Sequence, residues 1–123
     1  MKQPVIDIVD DDEAVRSATF LLLSSYGWHA RAFASAEQFL ETLKLESAPD
    51  CLLLDLNMPG MNGAELLEKL AARQSALPVI VITGMRDAQL IARARKAGAR
   101  DVLDKPFREK DLKASVDRVL AAA

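Results

Sequence analysis

Short apolar segments alternate with longer amphipathic segments along the whole chain, and this alternation predicts the fold. Five segments, most of them runs of consecutive apolar residues, have the length and composition of buried strands. These predicted strands are residues 4–9, 28–33, 51–54, 78–82 and 101–104. After each of them, apolar residues recur at spacings of three and four, which predicts a helix.

The predicted helices have recognisable ends. They cover residues 14–23, a segment that follows Ser35, residues 64–70, residues 88–97 and a segment with Leu112, Val116, Val119 and Leu120 on one face. Ser35 and Gln38 have the spacing of a capping box. Asn62 is the expected cap of the third helix, and Gly27 and Gly98 follow the ends of the first and fourth.

Five successive strand–helix units predict an α/β domain with a parallel sheet, because parallel strands need crossover helices on both faces. Right-handed crossovers favour a doubly wound, flavodoxin-like topology with strand order 2-1-3-4-5 and five helices. The 123 residues suit one domain, predicted to span residues 1–123, without repeats or an interdomain linker.

Composition excludes several classes of function. Sixteen basic and eighteen acidic residues leave a net charge of −2, so no nucleic-acid or membrane surface is expected. The opening residues lack the pattern of a signal peptide and no apolar run approaches bilayer length, so we expect a cytoplasmic protein. The single cysteine, Cys51, lies in an apolar strand and is expected to be a core residue.

Polar residues follow four of the predicted strands at the edge of the sheet where ligands bind in doubly wound folds. They are Asp10, Asp11 and Asp12 after the first strand, Asp55 after the third, Thr83 after the fourth and Lys105 after the fifth. Each has an ordinary interpretation, such as acids at a helix start, a β-branched strand residue or a solvated strand end. Their coincidence at one edge favours a chemical site.

Such a site suits phosphoryl transfer. Converging carboxylates repel one another unless a cation or a proton intervenes, and oxygen ligands without histidine or cysteine favour a hard ion such as Mg²⁺. A carboxylate can itself accept a phosphoryl group as an acyl phosphate. A metal ion, the Lys105 ammonium and the Thr83 hydroxyl would then contact the phosphoryl oxygens.

With these residues the chain resembles the receiver domain of two-component response regulators over essentially its whole length. The resemblance rests on residues 9–13 (VDDDE), 54–63 (LDLNMPGMNG), 81–84 (VITG), 96–99 (KAGA) and 104–107 (DKPF). The chain is most similar to the FixJ type, whose receivers usually precede a helix-turn-helix DNA-binding domain. The resemblance also implies a cis peptide bond between Lys105 and Pro106, which X-Pro bonds permit.

The resemblance assigns a role to each residue at the edge. It implies that a histidine kinase phosphorylates Asp55, that Thr83 donates a hydrogen bond to the phosphoryl group and that Lys105 pairs with it. It also implies a Mg²⁺ site, in which Mn²⁺ is expected to substitute. Its ligands would be Asp11 directly, Asp10 through water, Asp55, and the main-chain carbonyl of Asn57.

The implied function is a phosphoacceptor switch and not an enzyme, although the domain would catalyse its own phosphotransfer and a slow autodephosphorylation. Phosphorylation is expected to change the surface of the fourth helix, fifth strand and fifth helix, with possible homodimerisation there. That surface would control an output domain beyond residue 123 or a partner, for transcription regulation. The domain itself is expected to bind no membrane and no nucleic acid.

One position departs from the receiver pattern. Receivers usually carry Tyr or Phe three residues before the strand-five lysine, and here that residue is Val102. A ring-flip mechanism is therefore not expected. His29 and Trp28 are expected to lie away from the site, and Met85 offers no hydrogen bond to orient a hydrolytic water, which favours a long-lived phosphoryl group.

Two other classes of function stay open. A Mg²⁺-dependent phosphatase with an aspartyl nucleophile typically needs a second carboxylate two residues later as general acid and base, and Asn57 stands there. A flavodoxin-like cofactor module needs a phosphate-binding loop after the first strand, where the acidic run from Asp10 would repel the phosphate.

Overall fold

A computed structural model describes residues 3–84 and 87–122 of the chain. Strands and helices alternate as predicted, and the ends that the sequence predicted differ from the observed ones by no more than two residues. The strands are β1 (Val5–Val9), β2 (His29–Phe33), β3 (Cys51–Asp55), β4 (Val79–Thr83) and β5 (Asp101–Asp104). The helices are α1 (Glu13–Ser25), α2 (Ala36–Leu45), α3 (Gly63–Ala72), α4 (Ala88–Lys96) and α5 (Glu109–Ala122).

The five strands form one parallel sheet in the order β2-β1-β3-β4-β5, which confirms the predicted fold class. The chain runs outward from β1 to β2 and then crosses back to β3 on the other side of β1. The direction of winding therefore reverses between β1 and β3, and the crevice at their carboxyl ends is where such folds bind ligands. In register, Asp55 is opposite Ile82 and Thr83 is opposite Asp104.

Helices cover both faces of the sheet. One face packs against α2, α3 and α4, with Leu52, Leu54 and Val81 of the sheet among the buried residues. The opposite face packs against α1 and α5, with Leu53 and Ile80 buried there. Alternate residues of β3 therefore pack in opposite layers, which explains why residues 51–54 are all apolar.

The helix ends are fixed by side chains close to the predicted positions. Asn62 caps α3 and forms a complete capping box with Glu65. Ser35 accepts a hydrogen bond from the Gln38 main chain, as predicted. The second half of the predicted box at Ser35 is wrong, because the Gln38 side chain accepts from Ala34 N–H at 2.9 Å. The reason is geometric, since this side chain reaches one residue further back than a capping box requires.

A buried ion pair ties together the edge of the sheet. Asp7 of β1 is only 1% exposed and accepts hydrogen bonds from Arg31 of β2 at 2.6 and 2.9 Å. Arg31 also contacts Glu46 after α2 at 2.8 Å. Burial raises the pKa of Asp7, and the hydrogen bonds and charge of Arg31 only partly oppose this. Arg31 therefore favours the ionised form of Asp7 against the effect of burial.

Three smaller expectations also have an outcome. Cys51 is fully buried, and burial raises the pKa of its thiol to about 12, so it is a core residue as predicted. The Lys105–Pro106 peptide bond is cis, as the resemblance implied. Within the parts of the chain that the structure describes, no helix has the length and apolar composition to cross a bilayer.

Candidate functional site

The carboxyl ends of β1, β3, β4 and β5 bring the predicted polar residues to one edge of the sheet. Carboxylate oxygens of Asp10, Asp11 and Asp55 all lie within 4.8 Å of one another. Asp10 and Asp55 are buried, at 4% and 5% exposure, whereas Asp11 is exposed. Two acids are thus held inside the fold, and the third faces solvent beside them.

Lys105 balances the two buried acids. Its Nζ atom is 2.7 Å from Asp10 Oδ2 and 3.5 Å from Asp55 Oδ2. Burial by itself would lower the pKa of Lys105, but the hydrogen bond to Asp10 and the charges of both acids outweigh it and raise the pKa. Lys105 therefore stays protonated and places a positive charge between the two carboxylates.

Asp55 is the most strongly perturbed acid of this group. Its pKa is raised to about 7, first by burial and second by the negative charge of Asp10. The charge of Lys105 and the Asn57 N–H act in the opposite direction, and a hydrogen bond with Asp11 raises the pKa further. In the absence of a cation, the Asp55 carboxyl group is therefore partly protonated at neutral pH.

The loop between β1 and α1 is held in place by hydrogen bonds to Asp10. The Asp10 Oδ1 atom accepts a hydrogen bond from Asp12 N–H at 2.9 Å. The main-chain carbonyl of Asp10 accepts another from Arg16 Nη1 of α1 at 2.8 Å. Sequence reasoning missed the role of Arg16, because a basic residue on an amphipathic helix usually faces solvent. Its one signal is its position in the second turn of α1, close to the acidic run.

Asn57 connects Asp55 with Thr83. Its main-chain N–H donates to Asp55 Oδ1 at 3.2 Å, and its side-chain Oδ1 accepts from the Thr83 hydroxyl at 2.9 Å. Thr83 is 1% exposed, so this hydrogen bond lies inside the fold. The sequence had suggested only a main-chain role for Asn57, and the contact of its side chain was not predicted.

Gly63 allows α3 to begin directly against Asp55. A Cβ atom at this position would lie 2.6 Å from the Asp55 carbonyl oxygen and 2.8 Å from Leu56 Cα. The Gly63 N–H also donates to the Leu56 carbonyl at 3.0 Å. The sequence did not predict this role of Gly63, which is the first residue of α3 and permits a close approach to the end of β3.

The donor set fits a hard divalent cation. Three carboxylates with mutually close oxygen atoms are the ligands that Mg²⁺ and Mn²⁺ prefer. Burial and the negative charge of Asp10 raise the pKa of Asp55 despite the charge of Lys105, and a bound cation would oppose both effects. The residues present therefore suit the ion that the sequence led us to expect.

The remaining sequence positions lie elsewhere or play other parts. His29 is exposed at the amino end of β2, opposite the polar edge. Trp28 packs against Tyr26, with ring centroids 5.4 Å apart. Val102 of β5 is partly buried and packs against the layer formed by α2, α3 and α4. Met85 lies outside the described residues.

Known proteins resemble the chain in sequence. The sequence model of the response regulator receiver domain matches residues 6–117. The transcriptional regulatory protein FixJ of Bradyrhizobium diazoefficiens is 38% identical over 118 residues, which are 96% of this chain and 57% of that protein. The response regulator protein TmoT of Ectopseudomonas mendocina is 41% identical over 122 residues, covering 99% of this chain and 55% of that protein. The chain thus spans about half the length of these relatives.

The fold is similar as well. The crystal structure of FixJ-N superposes with a TM-score of 0.89 at 35% identity, covering 100% of this chain and 98% of that chain. The similarity therefore includes all five strands.

Proposed function

The chain belongs to the response regulator receiver domain family, as the sequence led us to expect, and from this premise we propose that it is a phosphorylation-dependent signalling switch. In this proposal Asp55 accepts a phosphoryl group from a histidine kinase. The observation that carries the proposal is the position of the Asp55 carboxylate, which lies between two further acids and the Lys105 ammonium at the carboxyl edge of the sheet.

The residues at this edge can perform the transfer. An Asp55 oxygen attacks phosphorus, the bond from phosphorus to the kinase imidazole breaks, and the imidazole leaves with the electron pair. Lys105 pairs with the oxygens of the transferred group, and Thr83 donates a hydrogen bond to one of them. Both residues are already oriented by main-chain contacts, since Lys105 N–H donates to the Thr83 carbonyl at 2.8 Å.

A divalent ion completes the proposed site. Asp10, Asp11 and Asp55, together with the main-chain carbonyl of Asn57, would hold Mg²⁺, with Mn²⁺ as a substitute. When bound, the ion supplies positive charge that neutralises the phosphoryl oxygens during transfer. Arg16 supports this arrangement from the protein side, because it fixes the main chain of Asp10.

Labelling with acetyl phosphate and Mg²⁺ tests the assignment of Asp55. We expect one phosphate per chain by intact mass, and none in Asp55→Asn. The matched control is Asp111→Asn, which removes an exposed acid near the start of α5 and should label like the parent. Equal labelling of Asp55→Asn would refute the assignment, and rapid turnover of a small phosphoester would favour the alternative of a phosphatase.

The signal is proposed to leave through α4, β5 and α5. Thr83 ends β4 and Lys105 follows β5, so movement of either residue toward a phosphoryl group shifts the loops that lead into α4 and α5. Val102 provides no aromatic ring, so the change would depend on displacement of the main chain and loops. This surface would then control an output domain or partner in a cytoplasmic transcription regulator.

Homodimerisation through this surface on phosphorylation is also part of the proposal. Arg95 and Lys96 lie in the last turn of α4 and offer positive charge to a second copy. Two acids of the same surface already have partners within the chain. Asp101 is 2.7 Å from Arg118, and Asp117 is likewise paired within α5. Dimerisation would therefore require these acids to exchange or share their partners.

A further inference from the structure

We propose that the side chain of Asn57 is a latch on Thr83, and that switching requires the hydrogen bond between them to break. This inference rests on the proposed function, because it assumes that Thr83 binds the phosphoryl group. Asn57 would act through Thr83 and is therefore a positioning residue. The role concerns its side-chain amide, which is separate from the main-chain carbonyl proposed as a metal ligand.

The Thr83 hydroxyl has a single hydrogen to donate, so it donates to one acceptor at a time. The hydroxyl donates to Asn57 Oδ1 at 2.9 Å. A hydroxyl has one hydrogen, and phosphoryl oxygens only accept. Thr83 therefore cannot donate to Asn57 and to a phosphoryl group on Asp55 at the same time, and the two hydrogen bonds must be alternatives.

Main-chain hydrogen bonds anchor both ends of the latch, so rotation of the side chains is enough to break it. On one side, Leu56 N–H donates to the Ile82 carbonyl at 3.1 Å, which holds the main chain directly before Asn57 against β4. On the other side, the Thr83 carbonyl accepts from Lys105 N–H at 2.8 Å. The exchange of partners is thus achieved by rotation about side-chain bonds and does not require the sheet to separate.

Because Thr83 is buried, its hydroxyl has two alternative states, one bonded to Asn57 and the other bonded to the phosphoryl group. Thr83 is only 1% exposed, so its hydroxyl is shielded from bulk water, and losing the hydrogen bond to Asn57 without a replacement acceptor would be costly. The phosphoryl group offers a new acceptor when Asp55 is modified. The latch therefore lowers the affinity of Thr83 for the phosphoryl group, and it holds the resting state until that group arrives.

Beryllofluoride at saturating Mg²⁺ is the probe, since it stands in for the phosphoryl group on Asp55. Asn57→Ala removes the acceptor amide and keeps the main-chain N–H and carbonyl. We expect it to bind beryllofluoride about fivefold more tightly than the parent, which corresponds to about 1 kcal/mol for one hydrogen bond. Asn57→Ser is a second variant in case the alanine variant is unstable, because its shorter side chain cannot reach the same position.

Thr83→Val supplies the matched background, since valine has the shape of threonine without the hydroxyl. In this background Asn57→Ala should leave the affinity for beryllofluoride unchanged, because the latch no longer exists. A structural role of Asn57 in loop stability would not produce this dependence on the Thr83 hydroxyl.

The outcomes separate this inference from the proposed function. A parent protein that does not bind beryllofluoride would refute both together. A parent that binds it, with Asn57→Ala binding no more tightly, would overturn the latch alone. The latch would also be overturned if Asn57→Ala gained the same factor in the Thr83→Val background.

Discussion

The metal-free protein should lose stability as the pH rises through neutrality, because of Asp55. Its pKa is raised from 3.8 in the unfolded reference to about 7 in the fold. Protonated Asp55 is tolerated in the folded protein, and the ionised form is disfavoured there relative to the unfolded chain. The contribution of Asp55 to stability is therefore fully present below its unfolded pKa and is lost as the pH rises through the folded value.

The magnitude follows from proton linkage. Between pH 6 and pH 8, Asp55 is fully ionised in the unfolded chain and loses its proton progressively in the fold. The free energy of unfolding falls by 1.36 kcal/mol per pH unit for each proton that only the folded state binds. With on average about half a proton bound over these two units, the loss is about 1.4 kcal/mol.

Urea denaturation in EDTA at pH 6, 7 and 8 measures this loss. The matched control is Asp55→Asn, which keeps the shape of the side chain and cannot titrate. His29 is present in both proteins, so any contribution that it makes cancels. We expect the parent to lose about 1.4 kcal/mol more than the variant over this range. Parallel curves for the two proteins would refute the reasoning.

Mg²⁺ gives a second test of the same reasoning. The ion binds the ionised carboxylate, so a proton on Asp55 competes with it. Saturating Mg²⁺ should therefore stabilise the parent more at pH 8 than at pH 6. An equal gain at both pH values would show that Asp55 does not control binding of the ion.

Two further predictions concern the contacts that support the site and the sheet. Gly63→Ala should destabilise the fold by about 2 kcal/mol and reduce phosphorylation of Asp55, because the added Cβ would overlap main-chain atoms. Gly84→Ala is the steric control, since the nearest atom to its added Cβ would be 3.6 Å away. A Gly63→Ala variant as stable as Gly84→Ala would contradict this. Arg31→Met should cost about 3 kcal/mol in urea unfolding, because it leaves a buried carboxylate without its partner. Arg93→Met removes an exposed ion pair and should leave the urea midpoint nearly unchanged. Equal midpoints for these two variants would show that burial of the Arg31 pair has little effect.

The sequence predicted the elements well because their cause is local and periodic. Apolar runs indicated β3 and β4, and the Asn62 cap indicated the start of α3. Ser115 shows where this reasoning stops. It is fully buried in α5. Its hydroxyl donates to Asp101 Oδ2 of β5 at 2.7 Å, which satisfies the buried polar group. The sequence does not predict that a polar residue on a helix forms a hydrogen bond with a residue fourteen positions away.

At the candidate site, too, some features were predicted from the sequence and others were not. The acids, Thr83 and Lys105 were predicted from their places at strand ends, since parallel strands bring their carboxyl ends to one edge. Contacts made by Arg16, Gly63 and the Asn57 side chain were not predicted. Each depends on the distance between two elements that are separate along the chain.

By itself, the sequence therefore determined the order of strands and helices, the fold class and the set of residues at the polar edge. Hydrophobic periodicity and turn residues encode these features over a few neighbouring positions. Only the tertiary structure decided the protonation of Asp55 and the partner of the Thr83 hydroxyl. These properties depend on burial, charge and hydrogen-bond geometry at distances of a few ångströms, which packing of distant segments sets.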